Sequence, residues 1–271
     1  MNILEKIIAH KKQEVAQRRE LYPAKLLEQS VYFRTPTVSL RKYLQRPDKS
    51  GIIAEFKRRS PSKGDINPHA SVERVSIGYM QAGASALSVL TDSHFFGGKN
   101  EDLTTARKFN FCPILRKDFV IDEYQLIEAR SIGADAVLLI AECLGKEQLA
   151  QLARSAKSLG LEVLMELHSL PQLDKYCPEV DAIGVNNRNL EDFSVSLTTS
   201  LELASTLPAA AVKVSESGLD DPNAVVELRR AGYQGFLIGE HFMRQAEPGK
   251  ACQEFIRRMR HIEEILDGAI A

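Results

Sequence analysis

Read for its apolar positions, the chain changes character near residue 50. Before that point Ile3, Leu4, Ile7, Ile8 and Val15 recur at helical spacing, while Lys11, Lys12, Arg18 and Arg19 fall where they would line a solvated face. Acidic residues interleave with these cations, which favours a wet helix face over a membrane-surface or nucleic-acid stripe. Pro23 and Pro36 interrupt the segment, and Pro47-Asp48-Lys49-Ser50-Gly51 closes it as a turn cluster. Residues 1–50 therefore read as a helical extension preceding a main domain over 51–271.

From Gly51 onward, short β-branched and apolar runs recur at 51–56, 85–91, 112–117, 135–140, 161–166, 181–186, 210–215 and 235–240, their starts 20 to 34 residues apart. Helical patterning fills segments between them, near 72–82, 122–132 and 146–159. Ala82-Gly83, Ile132-Gly133, Leu159-Gly160 and Ala231-Gly232 supply the glycine that closes a helix before the next strand. Strands alternating with helices at this spacing imply parallel β-α units. Eight of them predict an α/β fold of the closed (β/α)8 TIM-barrel type. An open doubly wound sheet is the rival, but the first strand is not followed by the Gly-x-Gly-x-x-Gly turn of a dinucleotide fold.

Composition narrows the classes. The 271 residues are 44% hydrophobic and 26% charged, with a formal net charge of −1, the balance of a globular chain without a basic footprint for nucleic acid. No apolar run approaches the ~18 residues of a membrane span. Charges break the apolar character of Met1 to Ile8, so no secretory signal is expected. Cys112, Cys143, Cys177 and Cys252 lie far apart and are expected to be reduced, buried and small, which argues against a metal and for the cytoplasm.

In such a barrel, chemistry sits at the C-terminal ends of the strands. Glu55 and Lys57 end the first strand, two apart and so on one side of it. Lys117 and Asp118 end the third, Glu166 the fifth, Asn186 and Arg188 the sixth, Glu216-Ser217-Gly218 the seventh and Gly239-Glu240 the eighth. Any one of these is unremarkable as a strand-end ion pair. Six strands delivering acids, bases and amide donors to one rim suit proton-transfer chemistry. Ser217-Gly218 and Gly239-Glu240 stand where barrels often bind phosphate, with Ser60-Pro61-Ser62-Lys63-Gly64 across the mouth. Phe95-Phe96-Gly97-Gly98 suggests a loop that covers an apolar ligand, and Phe119 is either a core residue or part of that wall. His94 has no serine partner in view, and His168 reads as a surface or helix-start residue.

Ile53-Ala54-Glu55-Phe56-Lys57-Arg58-Arg59-Ser60-Pro61-Ser62-Lys63-Gly64 closely resembles the first-strand signature of indole-3-glycerol-phosphate synthases. Leu115 to Phe119, Gly184 to Leu190 and Val214 to Gly218 resemble that family's further motifs in the same order. The resemblance implies decarboxylative ring closure of 1-(2-carboxyphenylamino)-1-deoxyribulose 5-phosphate to indole-3-glycerol phosphate, CO2 and water, with no cofactor. It implies Lys117 as general acid, Glu55 and Lys57 in proton transfer and dehydration, and Glu166 as a base or a support for charge on the ring nitrogen. Asn186 and Ser217 would orient the substrate, with Arg188 and Glu216 nearby. Ser60, Gly218, Gly239 and Glu240 would hold the phosphate, and Phe96 and Phe119 would flank the anthranilate ring.

Two departures stand out. Some relatives place a tryptophan of the N-terminal extension against the substrate, and this chain has none. Some carry serine at the position of Glu240, whose side chain is expected to point away from an anion. Two alternatives remain at this level: a Schiff-base aldolase using Lys117 or Lys57, and a non-catalytic binder of sugar phosphates.

Overall fold

The computed structural model describes residues 3–189 and 192–268. Met1, Asn2 and Leu190, used in the sequence reading, lie outside them, as do Glu191 and 269–271. Eight parallel strands close on themselves: β1 (Ile52–Phe56), β2 (Ala86–Leu90), β3 (Ile114–Lys117), β4 (Ala136–Ile140), β5 (Glu162–Leu167), β6 (Ala182–Asn186), β7 (Val212–Glu216) and β8 (Gly235–Ile238). β1 pairs with β2 on one side and β8 on the other, which completes the ring. Each predicted run holds one strand, displaced by no more than two residues at either end. The open-sheet alternative is thereby excluded.

Helices α1 (Ile3–Leu21), α2 (Ala24–Leu27), α3 (Val31–Arg34) and α4 (Leu40–Leu44) precede the ring. Around it lie α5 (Val72–Gln81), α6 (Asn100–Phe109), α7 (Glu123–Ser131), α8 (Lys146–Ser158), α9 (Thr198–Leu203), α10 (Pro222–Arg230), α11 (Glu240–Met243) and α12 (Pro248–Gly268). Local sequence sets their ends. Asp122 starts α7 with a capping box completed by Gln125, and Asp221 followed by Pro222 starts α10. Gly83, Gly133, Gly160 and Gly232 all take the left-handed backbone expected of helix-closing glycines. A two-residue hairpin, Arg59–Ser60 against Gly64–Asp65, follows β1 and was too short to leave a periodic signal. No helix among the described residues is long and apolar enough to cross a membrane.

Two apolar layers follow from the period of two along each strand. Ile52, Ala54 and Phe56 face outward to the helices, in the same layer as Ile114, Val163 and Met165. Ile53, Leu115, Leu138, Leu164, Val212 and Val214 face inward and fill the barrel. Leu40 and Leu44 of α4 join this inner cluster and close the end at which the strands begin. That closure is anchored by carboxylates at the strand starts. Glu162 accepts the backbone N–H of Arg41 at 2.8 Å, and Asp135 accepts those of Val38 and Ile114, each at 2.8 Å.

The first helix corrects one expectation. Lys11 does not line a wet face: it is fully buried, with Nζ 3.0 Å from Glu14, 2.9 Å from Asp92 and 3.0 Å from Asp118. Burial alone would discharge the amine, but these three carboxylates hold it protonated and raise its pKa. Lys12 remains exposed, whereas Arg18 pairs with Glu128 and Arg19 with Asp122. The basic face of α1 is thus largely a clamp onto the barrel.

Arg116 continues the clamp. Its guanidinium contacts Asp118 at 3.1 Å and Glu128, and donates to the Gln125 carbonyl at 2.8 Å. Removing one member of a buried ion network leaves uncompensated charge, so Arg116→Met is expected to cost about 3 to 5 kcal/mol, read as a lowered urea midpoint with unchanged slope. A loss below about 1 kcal/mol would mean that Lys11 and Arg18 suffice to neutralise the acids.

Candidate active site

The inner layer changes chemistry as it climbs. Along β1, Ile53 is succeeded two residues on by Glu55 and then by Lys57. In β3 Leu115 gives way to Lys117, in β5 Leu164 to Glu166, and in β7 Val214 to Glu216. Gly184 and then Asn186 follow Ala182 in β6. The alternation that fills the barrel with aliphatic side chains therefore aims the last inward residue of each of these strands into one shared space. That space is a cavity of about 620 Å³ at the C-terminal end of the ring, a size suited to a small organic ligand.

Lys117 stands at its centre. Nζ lies 2.8 Å from Glu166 and 2.6 Å from Glu216. Lys57 pairs with Glu55 at 2.8 Å, and Ser88 donates to Glu55 at 3.3 Å. Asn186 donates to the second oxygen of Glu166 at 3.2 Å, and its own carbonyl oxygen accepts the backbone N–H of Arg188. Of the surface or helix-start role expected of His168, the second holds, since its backbone N–H donates to Gln172 at 2.7 Å where the helical turn Leu170–Lys175 begins; the first does not, since its ring sits 3.5 Å from Glu166, largely shielded from solvent.

Two glycines make this crowding possible. A Cβ on Gly184 would lie 2.1 Å from a Glu216 oxygen, and one on Gly239 would lie 2.6 Å from a Glu55 oxygen. The space beside each is already filled by a carboxylate, so Gly239 serves Glu55 as well as any ligand.

Charge in the cluster is divided unequally. Burial opposes ionisation of Lys117, but Glu166 and Glu216 outweigh it and hold the ammonium charged. Burial would likewise raise Glu166, yet Lys117 draws it well below the usual carboxylate range. Glu216 moves the other way. Burial and the neighbouring charge of Glu166 push it up to about 8 despite Lys117, and its buried Oε1, turned to Gly184 rather than to Lys117, has no hydrogen-bond partner among the described residues.

The two ends of the cavity differ. At one, Ser217 and Gly218 follow β7 with successive positive φ angles of 69° and 74°, a strained turn held by Asn187, whose amide donates to the carbonyls of Glu216 and Ser217. Ser60 and the Gly239–Glu240 step complete this end. The Glu240 carboxylate does not point away as expected. It sits 3.5 Å from Arg188 and 3.9 Å from Lys63, drawn to the two cations. At the other end, the Phe96 and Phe119 rings lie 6.0 Å apart and both line the cavity, Phe119 packing against the inner apolar cluster as well, and Ile3, Leu4 and Ile7 of α1 also contribute to the lining.

The chain matches the family model described as "Indole-3-glycerol phosphate synthase" over residues 4–255. It belongs to the indole-3-glycerol phosphate synthase family. A relative of that name from Bacteroides thetaiotaomicron is 49% identical over 259 residues, covering 96% of this chain and 99% of the relative. Another from Laribacter hongkongensis is 42% identical over 255 residues, covering 92% and 97% respectively. The crystal structure of 3-hexulose-6-phosphate synthase from Salmonella typhimurium superposes with a TM-score of 0.61 at 10% identity, over 78% of this chain and 98% of that one, a likeness of fold alone.

Each family motif read in the sequence contributes to the lining of this cavity, through Glu55, Lys57 and Ser60, Lys117 and Phe119, Asn186 and Arg188, and Glu216 to Gly218, while Leu190 lies outside the described residues. Sequence reasoning missed Asn187, which buttresses the Ser217 turn, and the aliphatic lining supplied by α1. In the sequence Ile3, Leu4 and Ile7 show only as a helix stripe, and which part of the barrel they meet is not encoded locally.

The raised Glu216 gives a signed prediction. Between about pH 5 and 8 the unfolded carboxyl is ionised while the folded one is protonated, so the native chain loses stability as pH rises through that window. Glu216→Gln keeps the shape without the proton. Its stability relative to the unmodified chain should rise by on the order of 2 kcal/mol from pH 5 to pH 8 in urea titrations, whereas a flat difference would mean an ionised Glu216 throughout.

Proposed function

We propose that the chain converts 1-(2-carboxyphenylamino)-1-deoxyribulose 5-phosphate to indole-3-glycerol phosphate, CO2 and water, without a cofactor, as a step of tryptophan biosynthesis. The observation that carries this reading is the Lys117 ammonium, held charged between Glu166 and Glu216 in a cavity with an aromatic wall at one end and an exposed-amide turn at the other. The substrate has the matching sequence of parts: an aryl carboxylate, a ketone and a phosphate.

In this reading Phe96 and Phe119 flank the aryl ring, with the α1 aliphatics in place of an aromatic side chain from the extension. The phosphate lies against the backbone N–H groups of Ser217-Gly218 and Gly239-Glu240, near Ser60 and Arg188. It competes with Glu240 for Arg188 and Lys63, whose distances of 3.5 and 3.9 Å mark loose pairs. Asn186 and Ser217 orient the chain between the two ends.

Ring closure joins the carboxylate-bearing aryl carbon to the ketone carbon. Lys117 protonates the oxygen as it becomes an alkoxide, a base strong enough to take a proton even from an amine with a raised pKa. The carboxylate then departs as CO2, and the electrons of the broken C–C bond restore aromaticity. For dehydration, Lys57, paired with Glu55, protonates the hydroxyl that leaves as water, while Glu166 takes a proton from the adjacent methylene and the indole double bond closes. The ring nitrogen develops positive charge as the hydroxyl leaves, and the buried anion of Glu166 stabilises it.

A Schiff-base aldolase needs a neutral, nucleophilic lysine, and the ionised Glu166 at 2.8 Å disfavours that form at Lys117. A phosphorylated small molecule as the partner class, rather than nucleic acid or a membrane, goes with the formal charge of −1. A cytoplasmic setting goes with four free cysteines, two of them buried and two half-buried.

The test is direct, since a chain without tryptophan contributes little background to indole fluorescence. Addition of the carboxyphenylamino-deoxyribulose phosphate should produce a fluorescence rise, and Lys117→Ala should lower kcat by ~10²-fold or more. Borohydride should trap no covalent lysine adduct. Absence of any rise above the uncatalysed rate removes the reading, and full activity in Lys117→Ala leaves a binding rim only.

A further inference from the structure

One ammonium outside the reacting cluster reaches both aromatic walls of the cavity. Lys11 sits midway along α1, fully buried, and contacts Asp92 after β2 and Asp118 after β3. Neither aspartate ends the chain of contacts. Asp92 accepts the backbone N–H groups of Phe95 at 2.7 Å and Phe96 at 3.1 Å, fixing the turn that presents the Phe96 ring. Asp118 accepts the N–H of Phe119 at 2.8 Å and the Thr91 hydroxyl at 2.6 Å. Phe96 and Phe119 are therefore each one carboxylate away from the same lysine.

We propose that Lys11 is a positioning residue for the aromatic end of the substrate, its ammonium locking the Phe96 and Phe119 loops to each other and to the α1 side chains that line the cavity. The proposal rests on the reading above, in which an aryl ring occupies that end. Its physical basis is that one ammonium is shared by two fully enclosed aspartates that accept the loop amides, so its removal leaves buried charge uncompensated where the two loops are held. Asp118 retains Arg116 when Lys11 is lost, whereas no other cation contacts Asp92 among the described ion pairs. The Phe96 side should therefore loosen most. The opposite end is built on Ser217, Gly218 and Asn187, none of which is among the described partners of Lys11. Loss of the ammonium should act on one end alone, which a general loosening of the barrel would not do.

Binding is measured by calorimetry with two probes, anthranilate for the aromatic end and glycerol 3-phosphate for the phosphate end. In Lys11→Met, anthranilate affinity should fall by about tenfold or more while glycerol 3-phosphate changes by less than about twofold. Equal losses for the two probes, or no loss for either, overturn the proposal. Asp92→Asn keeps an oxygen for the Phe95 and Phe96 amides but removes the ion pair; it should show the same asymmetry at about threefold or more, and decides the matter if Lys11→Met does not fold. Turnover of the unmodified chain is followed in parallel. Turnover with symmetric binding losses sinks the role of Lys11 alone, whereas no turnover and no anthranilate binding sink the reading beneath it as well.

Discussion

A charged side chain can stay ionised inside a barrel only where an opposite charge meets it, and this constraint shapes the upper end of the molecule. Three carboxylates and two ammonium groups share the last inward layer of the strands. Glu55 takes Lys57, while Lys117 serves both Glu166 and Glu216. The second pairing is uneven by necessity. One cation cannot fully stabilise two buried anions, so Glu216 yields and is pushed up while Glu166 stays ionised. A site with an ammonium, a firm carboxylate and an adjustable acid is thereby present before any ligand arrives.

A second charged layer lies just outside the first. Successive residues leaving β3 alternate in direction, so Lys117 points into the cavity while Arg116 and Asp118 point outward to α7 and α1. The inner set can act on a ligand and the outer set holds the strand from which it acts. The basic face of α1 thus has a structural use on a chain whose overall charge is nearly zero.

How much of this was legible depended on how local each signal was. The strands announce themselves within six residues, and the period of two then dictates that Glu55, Lys57, Lys117, Glu166 and Glu216 share an inside. The pairings among them were not legible, because Glu216 meets Lys117 across the ring. Lys11 misled because two of its three partners, Asp92 and Asp118, stand far along the chain. A hint did exist: Ile7, Lys11 and Val15 are spaced by four on one stripe, which places the lysine among buried positions. Glu240 misled in the same way. Its side chain follows Arg188 and Lys63, which other loops bring to it from distant parts of the chain.

Leu40 and Leu44 give the molecule a sealed floor. Whatever enters must come from above, and everything made must depart upward too. Two of the three products, CO2 and water, are no bigger than a few atoms. All three leave by the same doorway, because a pair of leucines far below the chemistry closes the other end.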